Sequence, residues 1–168
     1  VAQGDPSAMY DLALLYEEGQ GVVQSFQKAA ELCAMATEQG KISAMFNLGN
    51  MYRDGKGVAQ SFKKAIEHFT MAAEKGDVGA MTNLGILYIQ GQGVNQSNEL
   101  AREWWIKAAK EGHEGAINNL KKLDELEVKS TTTTTSTTTA TTPSTNTTTT
   151  TTPSSHCCAA CNTPQTND

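Results

Sequence analysis

The sequence predicts an all-α protein, namely a right-handed solenoid of helix-turn-helix repeats followed by a disordered tail rich in Thr and Ser. Three observations support this prediction. One segment recurs every 36 residues, each copy contains two runs with helical spacing of apolar residues, and the composition changes abruptly after residue 129. Such units stack side by side, because a single helix pair cannot bury its apolar face alone.

The repeat keeps its register along the chain. Alanine returns at each period in Ala8, Ala44, Ala80 and Ala116. We therefore divide the chain as follows: 1–4, end of a preceding repeat; 5–40, 41–76 and 77–112, three full repeats; 113–129, a half repeat or capping helix; 130–155, a disordered Thr/Ser/Pro linker; 156–168, a cysteine-containing tail.

The first helix of each repeat, helix A, has apolar residues at positions 9, 12, 13 and 16 of the first copy, which lie on one face of a helix. Asp5 and Pro6 predict its start, as an N-cap and the first helical residue. The small residue of the face, Ala13, becomes Gly49 and Gly85 in the later copies, which allows a neighbouring helix to approach closely. The face ends at a tyrosine in every full repeat: Tyr16, Tyr52 and Tyr88.

A glycine-x-glycine loop separates the two helices. The first glycine is expected to cap helix A in the left-handed conformation, and the second to permit the chain reversal. The pairs are Gly19 and Gly21, Gly55 and Gly57, and Gly91 and Gly93. A phosphate-binding loop is disfavoured, because no strand precedes the pattern and the full dinucleotide fingerprint is missing.

The second helix, helix B, is predicted to begin after a serine N-cap at Ser25, Ser61 or Ser97. Its inner face holds Cys33 in the first copy, which we expect in the core. It should end at a glycine with positive φ, in Gly40, Gly76 and Gly112.

These residues together resemble the Sel-one-like repeat (SLR), a subclass of the tetratricopeptide-type solenoids. The 36-residue period and the glycine-x-glycine-valine loop favour SLR over the tetratricopeptide unit itself. The chain departs from the family at Cys33, where a large aromatic residue is usual, and at Asn98, where Phe26 and Phe62 stand in the other copies. These two departures are expected to loosen the local packing.

The resemblance implies a protein-protein interaction scaffold or adaptor that binds a protein or peptide. One alternative is an adaptor of an endoplasmic-reticulum quality-control or ubiquitin-ligase complex, and another, of a different class, is a secreted β-lactamase-like hydrolase. The hydrolase is disfavoured, and we expect no enzyme, because the complete set of S-x-x-K, S-D-N and K-T-G motifs is missing and no recurring nucleophile-histidine pair is present.

The expected binding surface is the face of helix A opposite the apolar stripe, which lines the concave surface in related solenoids. Several of its residues are apolar at positions expected to meet water, and such a strip commonly marks a contact site. The alternative is additional packing within the solenoid. The nine candidate residues are Tyr10, Leu14, Glu17, Phe46, Asn50, Arg53, Thr82, Ile86 and Ile89.

Charge and composition exclude other classes of partner. The net charge is −5 with acidic and basic residues intermixed, so no basic stripe predicts nucleic-acid binding. No apolar run approaches the roughly 20 residues that a membrane-spanning helix needs. An intracellular, cytoplasmic location is favoured over secretion, without a feature that settles the compartment.

The tail ends in a short cysteine cluster. Cys158 and Cys161 resemble the opening knuckle of a MYND-type zinc finger, and the alternatives are an extracellular disulfide or cysteines without a role. The solenoid itself is expected to need no cofactor, and zinc is expected only in a longer parent chain.

Overall fold

The computed structural model describes residues 4–135, and the side chains through residue 129. Within them the chain forms seven α-helices, arranged as three helix A/helix B pairs and one further helix. Each helix packs against the next along the chain. Their bounds are α1 Pro6–Glu18, α2 Phe26–Glu38, α3 Ile42–Asp54, α4 Phe62–Glu74, α5 Val78–Gln90, α6 Asn98–Lys110 and α7 Glu114–Thr135. The predicted solenoid of paired helices is confirmed.

Side chains cap the predicted helix starts. Both Asp5 carboxylate oxygens accept backbone N–H bonds from the first turn of α1. The three serine hydroxyls accept the N–H of Lys28, Lys64 and Leu100 at 3.3, 3.4 and 3.2 Å. Each cap satisfies an N–H group that has no partner within its helix, which stabilises the start by about 1 kcal/mol.

The first glycine of each loop caps helix A as predicted. Gly19, Gly55 and Gly91 adopt the left-handed conformation with φ of 72, 71 and 64°. Their N–H groups bond the carbonyl oxygens of Leu15, Met51 and Leu87, which would otherwise lack partners.

Glutamines close the same loops. Gln24 and Gln60 donate to the carbonyl oxygens of Glu17 and Arg53, both at 2.8 Å. The sequence carried the signal for this role, because these glutamines recur with the 36-residue period immediately before the serine caps.

The second glycine of the loop marks the contact between repeats. Gly57 has φ of 70°, and a Cβ there would overlap the carbonyl oxygen of Phe26 and lie 2.8 Å from the Gln27 nitrogen. One repeat later, a Cβ on Gly93 would lie 2.7 Å from the Phe62 Cβ and 2.8 Å from the Lys63 nitrogen. The glycine therefore reverses the chain and also admits the first turn of the preceding helix B. Gly21 has φ of 73° but no atom within 4 Å of such a Cβ.

Matched pairs of large and small residues fill the space between helix A and helix B. A Cβ on Gly49 would lie 2.7 Å from the Phe69 ring, and a Cβ on Gly85 would overlap the Trp105 indole nitrogen and lie 2.6 Å from its Cδ1 and Cε2 atoms. In the first repeat, the smaller Cys33 shares a buried cluster with Ala13 instead. The Ala13 methyl group fills part of the space that an aromatic ring would occupy, and looser packing at Cys33 stays a prediction. Burial also raises the pKa of the Cys33 thiol to about 11, so it stays protonated near neutral pH.

The last helix is longer than the predicted capping helix. It continues six residues past the predicted boundary at residue 129, to Thr135. It packs on α6 through the buried Ala116 and Leu123, and the Arg102 guanidinium bonds the carboxylates of Asp124 and Glu127. The predicted disorder of the linker from residue 136 onward lies outside the described residues.

Candidate functional site

Three of the nine candidate residues line one hollow between successive repeats. Glu17 reaches it from α1, and Asn50 and Arg53 reach it from α3. The hollow has a volume of about 220 Å³, and its remaining lining residues are Asn47, Met51, Asp54 and Lys56. Folding therefore brings together polar side chains that the sequence separates by about one repeat.

A row of asparagines connects the helix A elements next to this hollow. The Asn47 amide nitrogen donates to the Tyr10 hydroxyl at 3.1 Å, which joins α3 to α1. The Asn83 amide nitrogen donates to the Asn50 side-chain oxygen at 3.3 Å, which joins α5 to α3. The sequence prediction missed Asn47 and Asn83, although the two recur with the 36-residue period.

The amide groups of this row keep unused hydrogen-bonding capacity. Within residues 4–129, the Asn47 side-chain oxygen and the Asn50 side-chain nitrogen have no hydrogen-bond partner. Each side-chain amide carries two donor hydrogens and an acceptor oxygen, so an added polar chain could bond here. Both residues are only half-buried, so water can reach them in the unbound protein.

The charges around the hollow are mixed in sign. Arg53 pairs with Asp54 at 2.8 Å, and this hydrogen bond lowers the pKa of the Asp54 carboxyl below its ordinary value. Burial is the main cause that raises the pKa of the Tyr10 hydroxyl, and the bond from Asn47 opposes that rise. With Glu17 and Lys56, the lining contains two acidic and two basic groups. Such a lining suits a polar partner rather than one with a strong net charge.

The apolar candidates are less exposed than the sequence predicted. Phe46, Ile86 and Ile89 are half-buried and pack against the main core cluster. The Phe46 ring lies 5.9 Å from that of Phe69 and would touch a side chain at Gly79. Leu14 is half-buried as well. These four groups are therefore partly rather than fully exposed to water, and three of them (Phe46, Ile86 and Ile89) also contribute to packing within the solenoid.

Thr82 requires a further correction, since it is buried. Its hydroxyl donates to the Val78 carbonyl oxygen at 3.0 Å and lies 3.2 Å from the Nδ1 of His113. His113 also accepts the Ala116 N–H at the start of α7. Thr82 is therefore buried beside His113, the residue that precedes α7, and is 7% exposed to a partner.

Ile89 lines a second, more apolar hollow. This hollow lies between the end of α5 and α7, has a volume of about 300 Å³ and includes Leu123 and Leu126. It is separate from the polar hollow between α1 and α3. The nine candidates therefore do not form one site. Glu17, Asn50 and Arg53 line the polar hollow, and Ile89 lines the apolar one. The others are partly buried, except Thr82, which is buried.

The tyrosines of the repeat have structural roles. Their carbonyl oxygens accept the N–H of the serine that caps helix B, at 2.9, 2.8 and 3.0 Å in the three repeats. Lysine ammonium groups lie over the rings of Tyr16 and Tyr52 at 5.1 and 5.0 Å. These contacts hold the loop between helix A and helix B closed.

His68 lies half-buried on α4. Its ring stacks on Tyr52 at 5.4 Å with an interplanar angle of 1°, and its buried Nδ1 has no hydrogen-bond partner. Burial lowers the pKa of the imidazole below the ordinary 6.5, Lys64 acts in the same direction, and Glu67 opposes them.

This lowered pKa predicts a pH-dependent stability. The unfolded chain takes up the proton at higher pH than the folded protein, so the contribution of His68 is present above pH 6.5 and is lost as pH falls through the folded-state pKa. We expect the free energy of unfolding to decrease less between pH 7.5 and pH 5 in His68→Phe than in the wild type. Urea melts at both pH values measure this difference, and equal decreases would contradict the prediction.

Among residues 4–129, no group of three or more His, Cys, Asp or Glu side chains is placed to hold a metal ion. The predicted zinc ligands Cys158 and Cys161 lie outside the described residues. None of the helices in the described part of the chain is long and apolar enough to cross a membrane.

Comparison with a family model identifies the class of protein. The Sel1 repeat model matches three segments, residues 6–41, 42–77 and 78–113. These lie one residue after the repeat bounds derived from the sequence. The chain belongs to the Sel1 repeat family.

Solved structures agree with this assignment. A protective antigen of uropathogenic Escherichia coli with an SLR fold is 36% identical over 70% of this chain, with a TM-score of 0.69. A Sel1 repeat protein from Oxalobacter formigenes is 31% identical over 71% of the chain, with a TM-score of 0.67. This chain spans only 25% and 47% of those two proteins.

A third structure shows likeness of the fold alone. Cysteine rich protein B of Helicobacter pylori is 22% identical over 71% of this chain and 98% of its own length, with a TM-score of 0.56. The comparison with curated proteins gave no match.

Proposed function

We propose that this protein is an interaction scaffold that binds a protein or peptide partner on the concave surface formed by α1, α3 and α5. Sel1 repeats typically mediate protein interactions, which supports the general role. The location of the proposed binding surface is supported by the polar hollow, where Glu17, Asn50 and Arg53 converge from two repeats. The role proposed is binding rather than catalysis.

The chemistry of the hollow favours a polar segment of a partner chain. The Asn47 side-chain oxygen could accept a backbone N–H of a peptide, and the Asn50 side-chain nitrogen could donate to a backbone C=O, because neither atom has a hydrogen-bond partner among the described residues. The neighbouring Arg53 adds a charged donor. Because this surface is already partly desolvated by the repeats around it, hydrogen bonds formed there compete less with water.

Substitution on the two faces of one repeat tests this proposal. We expect Asn50→Ala with Arg53→Ala to weaken retention of a partner from native cell extract by about tenfold, because two hydrogen bonds of about 1 kcal/mol or more are lost. Partner retention is quantified by mass spectrometry at matched bait loading.

The matched control is Lys63→Ala with Glu67→Ala, on the exposed side of α4. It should leave retention unchanged, and circular dichroism melts should show both variants folded. Equal retention by the groove variant and the wild type, or a loss in the control alone, would contradict the proposed location.

A further inference from the structure

The apolar hollow beside α7 lies where the first two repeats carry a phenylalanine. We use this name for the hollow of about 300 Å³ that is lined by Ile89, Gln96, Asn98, Leu123, Leu126 and Glu127. Asn98 is the first residue of α6, and its equivalents at the start of α4 and α2 are Phe62 and Phe26. The two phenylalanines are half-buried, whereas Asn98 is exposed. The third repeat therefore lacks the ring that the other two carry at this position.

In the earlier repeats this ring occupies space between helix B and the following repeat. Phe62 packs against the main core cluster together with Ile66. The Lys56 ammonium, in the loop after α3, lies 6.0 Å from the centre of the Phe26 ring. A ring at the first position of helix B thus reaches the end of the next helix A.

The third repeat differs on both sides of this space. Arg102 of α6 stands where α4 has Ile66, and it bonds carboxylates of α7 instead of joining the core cluster. α7 continues as a helix, with Lys129 at the position of the loop glycine Gly93. Leu126, which lines the hollow from α7, is 64% exposed. The apolar walls from α5 and α7 are therefore left without a ring between them.

A glutamine beside the hollow keeps an unused amide group. Gln24 and Gln60 donate to the carbonyl oxygens of Glu17 and Arg53. The equivalent Gln96 makes no side-chain hydrogen bond within residues 4–129, and it lines the apolar hollow instead. Its amide can both donate and accept, so it suits the backbone of a peptide that enters the hollow.

We propose that the apolar hollow binds a phenylalanine side chain of a partner peptide, in the place that Phe62 occupies one repeat earlier. Leu123 and Leu126 contact the ring, and Gln96 bonds the peptide backbone next to it. The volume is at the lower end of the range for ligand pockets, which suits one large side chain. Residues 130–168 contain no Phe, Tyr or Trp, so that segment cannot supply the ring. The site is separate from the polar hollow and does not depend on it.

Titration of the full chain with N-acetyl-phenylalanine amide, followed by methyl NMR, tests the proposal. We expect saturable shifts of the methyl signals of Ile89, Leu123 and Leu126. The dissociation constant should be lower than that of N-acetyl-alanine amide by about tenfold or more, because only the phenyl ring buries a large apolar surface. Equal affinity for the two amides, or no saturable shift with either, would overturn the proposal.

Two substitutions within the hollow supply independent readouts. Asn98→Phe places the ring within the chain, so it should abolish the shifts and raise the melting temperature by roughly 2 °C or more. Leu126→Lys changes an exposed position, so it should leave the protein folded and weaken binding of the phenylalanine amide by about tenfold. The control Lys63→Ala with Glu67→Ala should bind as the wild type does. Binding that Asn98→Phe and Leu126→Lys both leave unchanged would overturn the proposal.

Discussion

Gly57→Ala is expected to lower the free energy of unfolding by about 3 kcal/mol, whereas Gly21→Ala should lower it by only about 1 kcal/mol. The two glycines have nearly the same φ, 70 and 73°. Positive φ alone strains any alanine to a similar extent at both sites. Only at Gly57 does the new Cβ also overlap the backbone of Phe26, and a helix backbone cannot move aside cheaply.

Urea denaturation of the two variants and the wild type measures both costs. The difference between the variants isolates the contact between repeats from the backbone strain, because the strain is common to both. Equal costs at Gly57 and Gly21 would show that the second glycine serves the chain reversal alone, and that the repeats do not depend on this close approach.

Gly85→Ala is expected to destabilise the protein by about 2 kcal/mol, although alanine is the better helix former by about 1 kcal/mol. The added methyl group would overlap the Trp105 indole nitrogen and lie 2.6 Å from its Cδ1 atom, and overpacking of this kind typically costs about 1–3 kcal/mol, occasionally more. Displacement of the ring would also weaken the bond from the Trp105 indole N–H to the Thr82 carbonyl oxygen, which measures 3.1 Å.

A double-mutant cycle supplies the control for this prediction. Trp105→Cys recreates the large-to-small change of the first repeat, where Cys33 and Ala13 share a cluster. In that background Gly85→Ala should become neutral or stabilising, because the methyl group then fills space that the indole has left. Additive costs in the cycle would contradict the matching of large and small residues between helix A and helix B.

Much of the fold could be predicted because its local features have local causes. The caps at Asp5 and the serines depend on hydrogen bonds within one turn, and the positive φ of Gly19 depends on a glycine standing at the end of helix A. The 36-residue register then placed the helices in order. The contact of Gly57 with Phe26 could not be predicted, because it arises only when two repeats are stacked.

The candidate site was predicted less well, for a related reason. A helical wheel treats the face opposite the core as exposed to solvent. In this solenoid, however, helices of neighbouring repeats also cover part of helix A. Phe46 and Ile86 are therefore half-covered, and Thr82 is buried beneath the start of α7. Asn47 and Asn83 were missed because a helical wheel considers one helix at a time. The hydrogen bonds of these residues join successive helices, which a wheel does not represent.

Site-specific photo-crosslinking tests the proposed binding surface most directly. A photoreactive side chain at Glu17, within the polar hollow, is compared with the same group at Glu67, on the exposed side of α4. The account predicts a crosslink to a partner from position 17 that disappears in Asn50→Ala with Arg53→Ala, and none from position 67. A crosslink to the same partner from position 67 alone, or one from position 17 that survives the substitutions, would contradict it.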